Sequence, residues 1–402
     1  MSKIKILVVP SDRTGVGSFR SIDPHVALEK YHPDDFRVEI NYDPWMNSDD
    51  YWKEFDIIHF HRSLGDWGNC LRLLKDCKEW GITTVMDIDD YWNPGTEHPA
   101  YSMIKQAKVD EHIVNNIKSV EYVTTTTKIF AEEISKLNKN VEVFPNAIDP
   151  NKKQFQPRPE NSDRLRIGWL GGSSHLSDLE ILRDNIQKLG SDKSITNKYQ
   201  TVLCGYDTRG SITEINPHTG EQSTRSIQPN ESVWYKYEQI FTNDYKSIKN
   251  EEEIKFLMEF KKGKFNNSSN DYNRVWTKPI TTYATNYNLM DVSLAPLKEH
   301  KFNYVKSQLK VIEAGFHKKA IIAQDFGPYQ IDLIHGKNSL LVPTSKNHKW
   351  WYKHMKTLIN NPNMVKDLGE QLYEDVQKYH IKNVTKERAD WYKSITKKVV
   401  SL

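Results

Sequence analysis

Short apolar runs alternate with amphipathic stretches along most of this chain, and the alternation starts twice. "IKILVVP" (4–10), "FDIIHFH" (55–61), "TTVMDID" (83–89), "EYVTTTT" (121–127) and "VEVFPN" (141–146) read as successive strands. Between them "NCLRLLKDCKEWG" and "PAYSMIKQAKVDEHIVNNIKS" carry apolar residues at helical spacing. The rhythm predicts a parallel sheet covered by helices. It pauses at "DPNKKQFQPRPENSDR" (149–164), which has three prolines and no periodicity. It then resumes with "LRIGWLG" (165–171), "YQTVLCG" (199–205), "DVSLAPL" (291–297), "KAIIAQ" (319–324) and "SLLVP" (339–343). The expectation is α/β, with a first doubly wound domain over 1–150, a linker over 151–164 and a second domain over 165–378. In open parallel sheets ligands bind beyond the carboxyl ends of the strands, so two facing domains would share one cleft.

A polar stretch, about 207–275, interrupts the second set. It reads as a hairpin around Pro217–Gly220, a helix and "GKFNNSSNDYN", and serves as a lid, an acceptor-specificity insertion or a surface excursion. The tail, 379–402, reads as a helix with a stripe of Trp391, Tyr392, Ile395 and Val399 opposite several lysines. Such a stripe needs a partner surface: its own domain, the first domain across the cleft, or less readily a membrane surface.

Length and charge narrow the function classes. At 402 residues one ordinary core is exceeded. Mean hydropathy is −0.71, yet 11 Trp, 20 Tyr and 14 Phe argue against disorder. A net charge of +3 from 56 basic and 53 acidic residues gives no field suited to nucleic acid. Three cysteines, Cys70, Cys77 and Cys204, cannot form a disulfide framework and point to a reducing compartment. The N-terminal apolar run is too short for a signal peptide and no 18-residue apolar stretch follows. The expectation is a cytoplasmic protein, with peripheral membrane contact as an option.

Five stretches carry residues suited to chemistry. In "RIGWLGGSSHLSDLE" (166–180), Gly171 and Gly172 let the backbone approach a ligand, Ser173 and Ser174 offer hydroxyls, and a helix from about Ser177 supplies free N–H groups. His175 is either a phosphate donor or part of a turn that Ser177 caps. In "HKFNYVKSQLKVIEAGFHKKAIIAQ" (300–324), a helix from about Tyr304 to Phe316 would place Lys306, Lys310 and Glu313 on one face, with Asn303 and Ser307 at its entry. Either the triad is a solvated salt-bridged face, or the lysines meet phosphates and Glu313 meets ribose hydroxyls. "SDRTGVGSFR" (11–20), with Gly15, Gly17 and Arg20, and "HFHRS", with His61 and Arg62, end first-domain strands. "MDIDDYW" holds Asp87-x-Asp89, a spacing able to share a divalent cation, and Asp90. The alternatives for Asp89 and Asp90 are a ligand or base for an acceptor hydroxyl and a purely structural cap.

Taken in order, "IGWLGGSSHLSDLE", "DVSLAPLKEHKFNYVKSQLKVIEAG", "FGPYQ" and "GKNSLLVP" resemble the C-terminal half of family 4 glycosyltransferases. With "GVGSFRSIDP" and "VMDIDDYW", the chain is most similar to a bacterial branch acting on surface polysaccharides. The resemblance implies the GT-B fold, two Rossmann-like domains facing a central cleft, and transfer of a sugar from a nucleotide-sugar to an acceptor hydroxyl. It implies a retaining course, no metal, and a glycan or lipid-linked oligosaccharide as acceptor. Donor contacts would come from Gly15, Gly17, Gly171, Gly172, Ser173, Ser174, Lys306, Ser307, Lys310 and Glu313. Acceptor contacts would come from Arg20, His61 and Arg62, and catalysis from Asp89, Asp90, His175 and Lys306. Glu313-Ala314 matches the second glutamate of the family's Glu-x7-Glu motif, while the first falls on Val305. The missing glutamate leaves a non-catalytic nucleotide- or sugar-binding protein as the alternative. A protein or DNA acceptor is a further one.

Overall fold

The structure is a computed structural model that describes residues 2–207, 211–215, 222–228, 231–242, 271–344 and 349–396. Among these, two six-stranded parallel sheets dominate. The first comprises β1 (Ile4–Val9), β2 (Phe36–Ile40), β3 (Ile57–His61), β4 (Thr83–Ile88), β5 (Tyr122–Thr125) and β6 (Val141–Val143), in the order β2-β1-β3-β4-β5-β6. The second begins after the proline-rich segment with β7 (Leu165–Leu170) and β8 (Tyr199–Tyr206). An antiparallel pair, β9 (Ser211–Ile215) with β10 (Gln222–Ser226), stands apart from it. The sheet continues with β11 (Tyr272–Trp276), β12 (Val292–Ala295), β13 (Ala320–Gln324) and β14 (Leu340–Val342), in the order β11-β8-β7-β12-β13-β14. This is the GT-B architecture.

The central strands are apolar on both faces because helices cover both. Every residue of β3, β4 and β13 is buried. The buried side chains accordingly divide into one cluster on each side of each sheet. The domains also lend residues to each other: Val305 packs into the first domain's cluster, and Phe19 into the second domain's. Phe155 of the linker is buried there too.

Three elements depart from the sequence reading. The edge strand β2 was not expected; Phe36 alone in it is fully buried, and its polar alternation hides it. The stretch 207–275 is not wholly an insertion. Helix Val233–Phe241 packs Trp234, Tyr237 and Phe241 into the second core, and β11 pairs in parallel with β8. The expected turn at Pro217–Gly220 lies outside the described residues, although β9 and β10 flank it. Finally, the expected single helix from Tyr304 is two: Lys301–Tyr304 and Leu309–Phe316, with Lys306 and Ser307 in the non-helical break.

Helix Ile381–Ile395 lies against the first sheet, where Ala389, Tyr392 and Ile395 join Ile4, Ile6, Val8 and Val85 in one cluster. Its entry is fixed by two backbone bonds, Ile148 N–H to the Tyr379 carbonyl and Ile381 N–H to the Ile148 carbonyl. Val399, Lys397 and Lys398 lie outside the described residues. Among the described residues no helix is long and apolar enough to cross a membrane.

Candidate functional site

Each sheet has a point where the strand order reverses, between β1 and β3 in the first and between β7 and β12 in the second. Loops leaving the strands on either side of such a point diverge and open a crevice. The loops at the second domain's point, 171–175 and 296–300, border an interdomain cavity with residues 95–98 of the first domain, and Gly15 of the first-domain loop 10–17 approaches Ile280. Contacts between the domains fix the cavity's width. Asn146 Nδ2 donates to Ser307 Oγ at 3.1 Å, Lys298 Nζ meets both Glu97 oxygens at 2.7 and 2.6 Å, and Lys301 pairs with Glu133 at 2.6 Å.

On the second-domain side, Gly172, Ser173 and Ser174 are exposed after β7. The helix that follows is shorter than expected: Leu176–Leu179, a tight turn Glu180–Leu182, then Arg183–Ser191. Ser177 lies inside it, and His175 occupies the cap position without a side-chain cap bond. The His175 ring instead donates from Nδ1 to Asp178 Oδ2 at 2.8 Å, which leaves Nε2 as the lone-pair atom. Burial, reinforced by Lys306, pulls the His175 imidazolium down to about 4, so the ring is neutral at neutral pH.

Asp178, which the sequence reading passed over, ties this loop to the next. Its Oδ1 accepts from Lys298 N–H and from Asn303 Nδ2, both at 2.8 Å. Although burial acts to raise its pKa, the His175 bond and charge and Lys306 hold Asp178 below the usual carboxylate range. The loop 171–178 and the segment 298–303 therefore keep their spacing through one buried carboxylate.

The three members of the expected charged triad have different surroundings. Lys306 has no carboxylate within ion-pair distance among the described residues and lies over the Phe302 ring at 4.9 Å. Lys310 is tucked beside Trp169, with Nζ donating to the Leu170 carbonyl at 2.5 Å. Burial pulls it down to about 8. A Cβ on Gly171 would meet the Trp169 ring at 2.4 Å and Lys310 Nζ at 3.0 Å, so a glycine is what lets this lysine pass. Glu313 is buried, one oxygen on the Tyr283 hydroxyl and the other on the Tyr287 hydroxyl at 3.0 Å. Burial pushes its carboxyl up. A ribose hydroxyl would have to replace one of these tyrosines, neither of which the sequence reading had named. Val305, at the position of the motif's first glutamate, is fully buried and presents nothing to the cleft.

On the first-domain side, Gly15 approaches the second domain, its Cβ position 3.8 Å from Ile280. Gly17 starts a helical turn (Gly17–Ile22) in which a Cβ would sit 1.9 Å from the Asp12 carbonyl oxygen. Asp12 closes the loop by accepting from Thr14 N–H at 2.7 Å, Thr14 Oγ1 at 2.6 Å and Gly17 N–H at 3.2 Å. Arg20 does not face the cleft, contrary to its expected acceptor role. It is 1% exposed and donates from Nε and Nη2 to Asp87, at 2.9 and 2.8 Å, and from Nη1 to the Phe144 carbonyl at 2.7 Å. Asp87 also accepts from Thr124 Oγ1 at 2.6 Å, so its carboxylate is engaged inside the first domain.

Asp89 instead accepts from His61 Nε2 and Arg62 Nη2, both at 2.9 Å. Burial would raise its pKa, but Arg62 and His61 hold it far below the carboxylate range. His61 is buried and occupied by that bond, so it supports Asp89 rather than reaching into the cleft. Arg62, at φ +58°, also reaches Asp90 at 3.4 Å. Burial and the adjacent Asp89 charge push the Asp90 carboxyl up. The two neighbouring carboxylates are driven apart, one firmly ionised and one nearer to neutral pH, a pattern that separates structural from proton-handling groups.

No family model matches the chain, and no curated protein matches it by sequence. Solved structures do match it along its whole length. HepE of Anabaena, in a complex with UDP and glucose, aligns with TM-score 0.62 at 11% identity, over 98% of this chain and 100% of the other. Sucrose-phosphate synthase of Thermosynechococcus elongatus aligns with TM-score 0.62 at 14% identity, over 98% and 99%. A glycosyltransferase of Rickettsia africae aligns with TM-score 0.62 at 12% identity, over 99% and 100%. At these identities the likeness establishes the fold.

Proposed function

We propose that the chain is a glycosyltransferase that moves a sugar from a nucleotide-sugar to an acceptor hydroxyl. The observation that carries the reading is Lys306. It is a cation without an acidic partner among the described residues, placed in a helix break beside the exposed Gly172–Ser174 turn, at the interdomain cavity. A donor diphosphate there would gain charge-assisted bonds from Lys306 and hydroxyl donors from Ser173 and Ser174. Stabilising charge on the leaving nucleotide is what lowers the barrier to transfer. The HepE structures hold UDP, with glucose in one case and as UDP-glucose in another, which supports such a donor on this fold.

The acceptor hydroxyl is assigned to the first-domain wall, with Asp90 as its hydrogen-bond partner and Asp89, His61 and Arg62 fixing Asp90 in place. We read the reaction as retaining and independent of metal; the partnering of Asp87 with Arg20 and Thr124 removes one carboxylate from an Asp-x-Asp cation site. A glycan or lipid-linked oligosaccharide is the acceptor class we favour. Release of free nucleoside diphosphate from a panel of nucleotide-sugars, with and without EDTA, tests the reading. Release that persists in EDTA is expected. Loss on chelation with rescue by manganese or magnesium would contradict metal independence, and binding without release would favour a non-catalytic sugar-nucleotide protein.

A further inference from the structure

We propose that the interdomain cavity over Phe302 is a subsite for an anionic monosaccharide, whose carboxylate is held by His98, His300 and Lys306. The proposal rests on the glycosyltransferase reading and goes beyond it in naming the class of sugar. The cavity encloses about 200 Å³ between the 95–98 segment of the first domain and the 298–306 segment of the second. With liquid water at ~30 Å³ per molecule, that is room for a sugar ring. The Phe302 ring, 5.2 Å from that of His98 and with Lys306 Nζ 4.9 Å above it, forms part of the cavity wall.

Three of the side chains that line this space, His98, His300 and Lys306, offer donors. His98 Nδ1 accepts from Ala100 N–H at 3.1 Å, and His300 Nδ1 accepts from Asn303 N–H at 3.4 Å. Both rings lie below the ordinary imidazole range, through burial first and the Lys306 charge in addition, so both are neutral at neutral pH. A neutral ring whose Nδ1 accepts carries its proton on Nε2. His98 and His300 thus present Nε2–H, and among the described residues neither Nε2 has a partner. Lys306 adds an ammonium.

The acidic groups at the cavity are already occupied. Asp178 accepts three bonds within the protein, and Glu97 is held by Lys298. Asp90 lies in the field of Lys306 and His98 but is paired with Arg62. A sugar acid supplies two oxygens that only accept, which suits three donors lining one cavity.

The carboxylate could belong to the transferred sugar or to the acceptor, and two probe pairs distinguish them by isothermal titration. Glucuronic acid 1-phosphate against glucose 1-phosphate represents the donor side. Methyl glucosiduronate against methyl glucoside represents the acceptor side. The acidic member of one pair should bind about tenfold or more tightly. In a H98N/H300N protein, whose amide oxygens can keep the backbone bonds but which lacks Nε2–H, that preference should vanish while UDP affinity holds. H98Q/H300Q, with an amide N–H near the Nε2 position, should recover most of it. Equal affinities within both pairs would overturn the subsite, as would a preference that survives H98N/H300N. A matching loss of UDP affinity in H98N/H300N would also overturn it, by assigning the two rings to the donor diphosphate rather than to a sugar carboxylate. Absence of UDP binding with the preference intact would count against the uridine donor and for the subsite.

Discussion

Lys306 and Asp178 make separable predictions at the residue scale. Lys306→Gln removes a cation that has no internal partner among the described residues, so stability should change by under ~0.5 kcal/mol. Donor turnover should fall by about 10- to 150-fold, the ~1.5–3 kcal/mol of a hydrogen bond to a charged group. Urea denaturation and nucleoside diphosphate release read the two effects; unchanged turnover would remove Lys306 from the diphosphate site. Asp178→Asn keeps an oxygen for Lys298 N–H and Asn303 Nδ2 but sets an amide N–H against His175 Nδ1, and should cost about 1–3 kcal/mol of stability. A folded variant with unchanged melting would show that Asp178 does not hold the two loops. Arg20 shows where sequence stops: its partner Asp87 lies 67 residues away, and no local spacing announces that pairing. Glu313 likewise sat in a recognisable context, while Tyr283 and Tyr287, which hold it, carried no local signal.

Among the elements, helix Ile381–Ile395 is anchored by a buried polar cluster. The Tyr392 hydroxyl meets His25 Nε2 at 2.7 Å and His59 Nδ1 at 3.1 Å, while His25 Nδ1 meets the Ser21 carbonyl at 2.6 Å. Tyr392→Phe should cost about 1–3 kcal/mol by leaving ring nitrogens unsatisfied; denaturant midpoints within error of wild type would contradict that anchoring role. Burial and nearby positive charge, including Arg388, hold both imidazolium pKa values well below 6.5. The unfolded chain then binds more protons than the folded one as pH drops below 6.5. Stability is therefore full above that pH and declines as pH falls toward the folded values. Melting temperatures from pH 7 to 5 should decrease, and a flat profile would contradict the buried neutral histidines. The central strands were legible because burial on both faces writes short apolar runs, such as Ile57–Ile58 in β3 and Ala320–Ala323 in β13. β11 was not, since its buried Arg274 is neutralised by Glu238 and looks like surface in one dimension. The break at 305–308 was hidden because its residues also suit a helix, and only packing of Val305 into the other domain explains it.

At the scale of the whole molecule, the two domains are coupled by more than the linker. Val305 and Phe19 cross between cores, and the C-terminal helix fills one face of the first sheet. Removing residues after Tyr379 would uncover Ile4, Ile6, Val8 and Val85, so the truncated chain should lose the first domain's cooperative unfolding rather than merely loosen the cleft. Retained two-domain unfolding in that truncation would show the helix to be dispensable. The central claim is that a nucleotide diphosphate sits between the Gly171–Ser174 turn and Lys306, with the sugar directed toward the first domain. A crystal structure grown with nucleoside diphosphates tests it most directly. The expected result is a diphosphate within hydrogen-bond distance of Lys306 Nζ and the Gly172–Ser174 segment; a diphosphate held elsewhere, with Lys306 untouched, would contradict it.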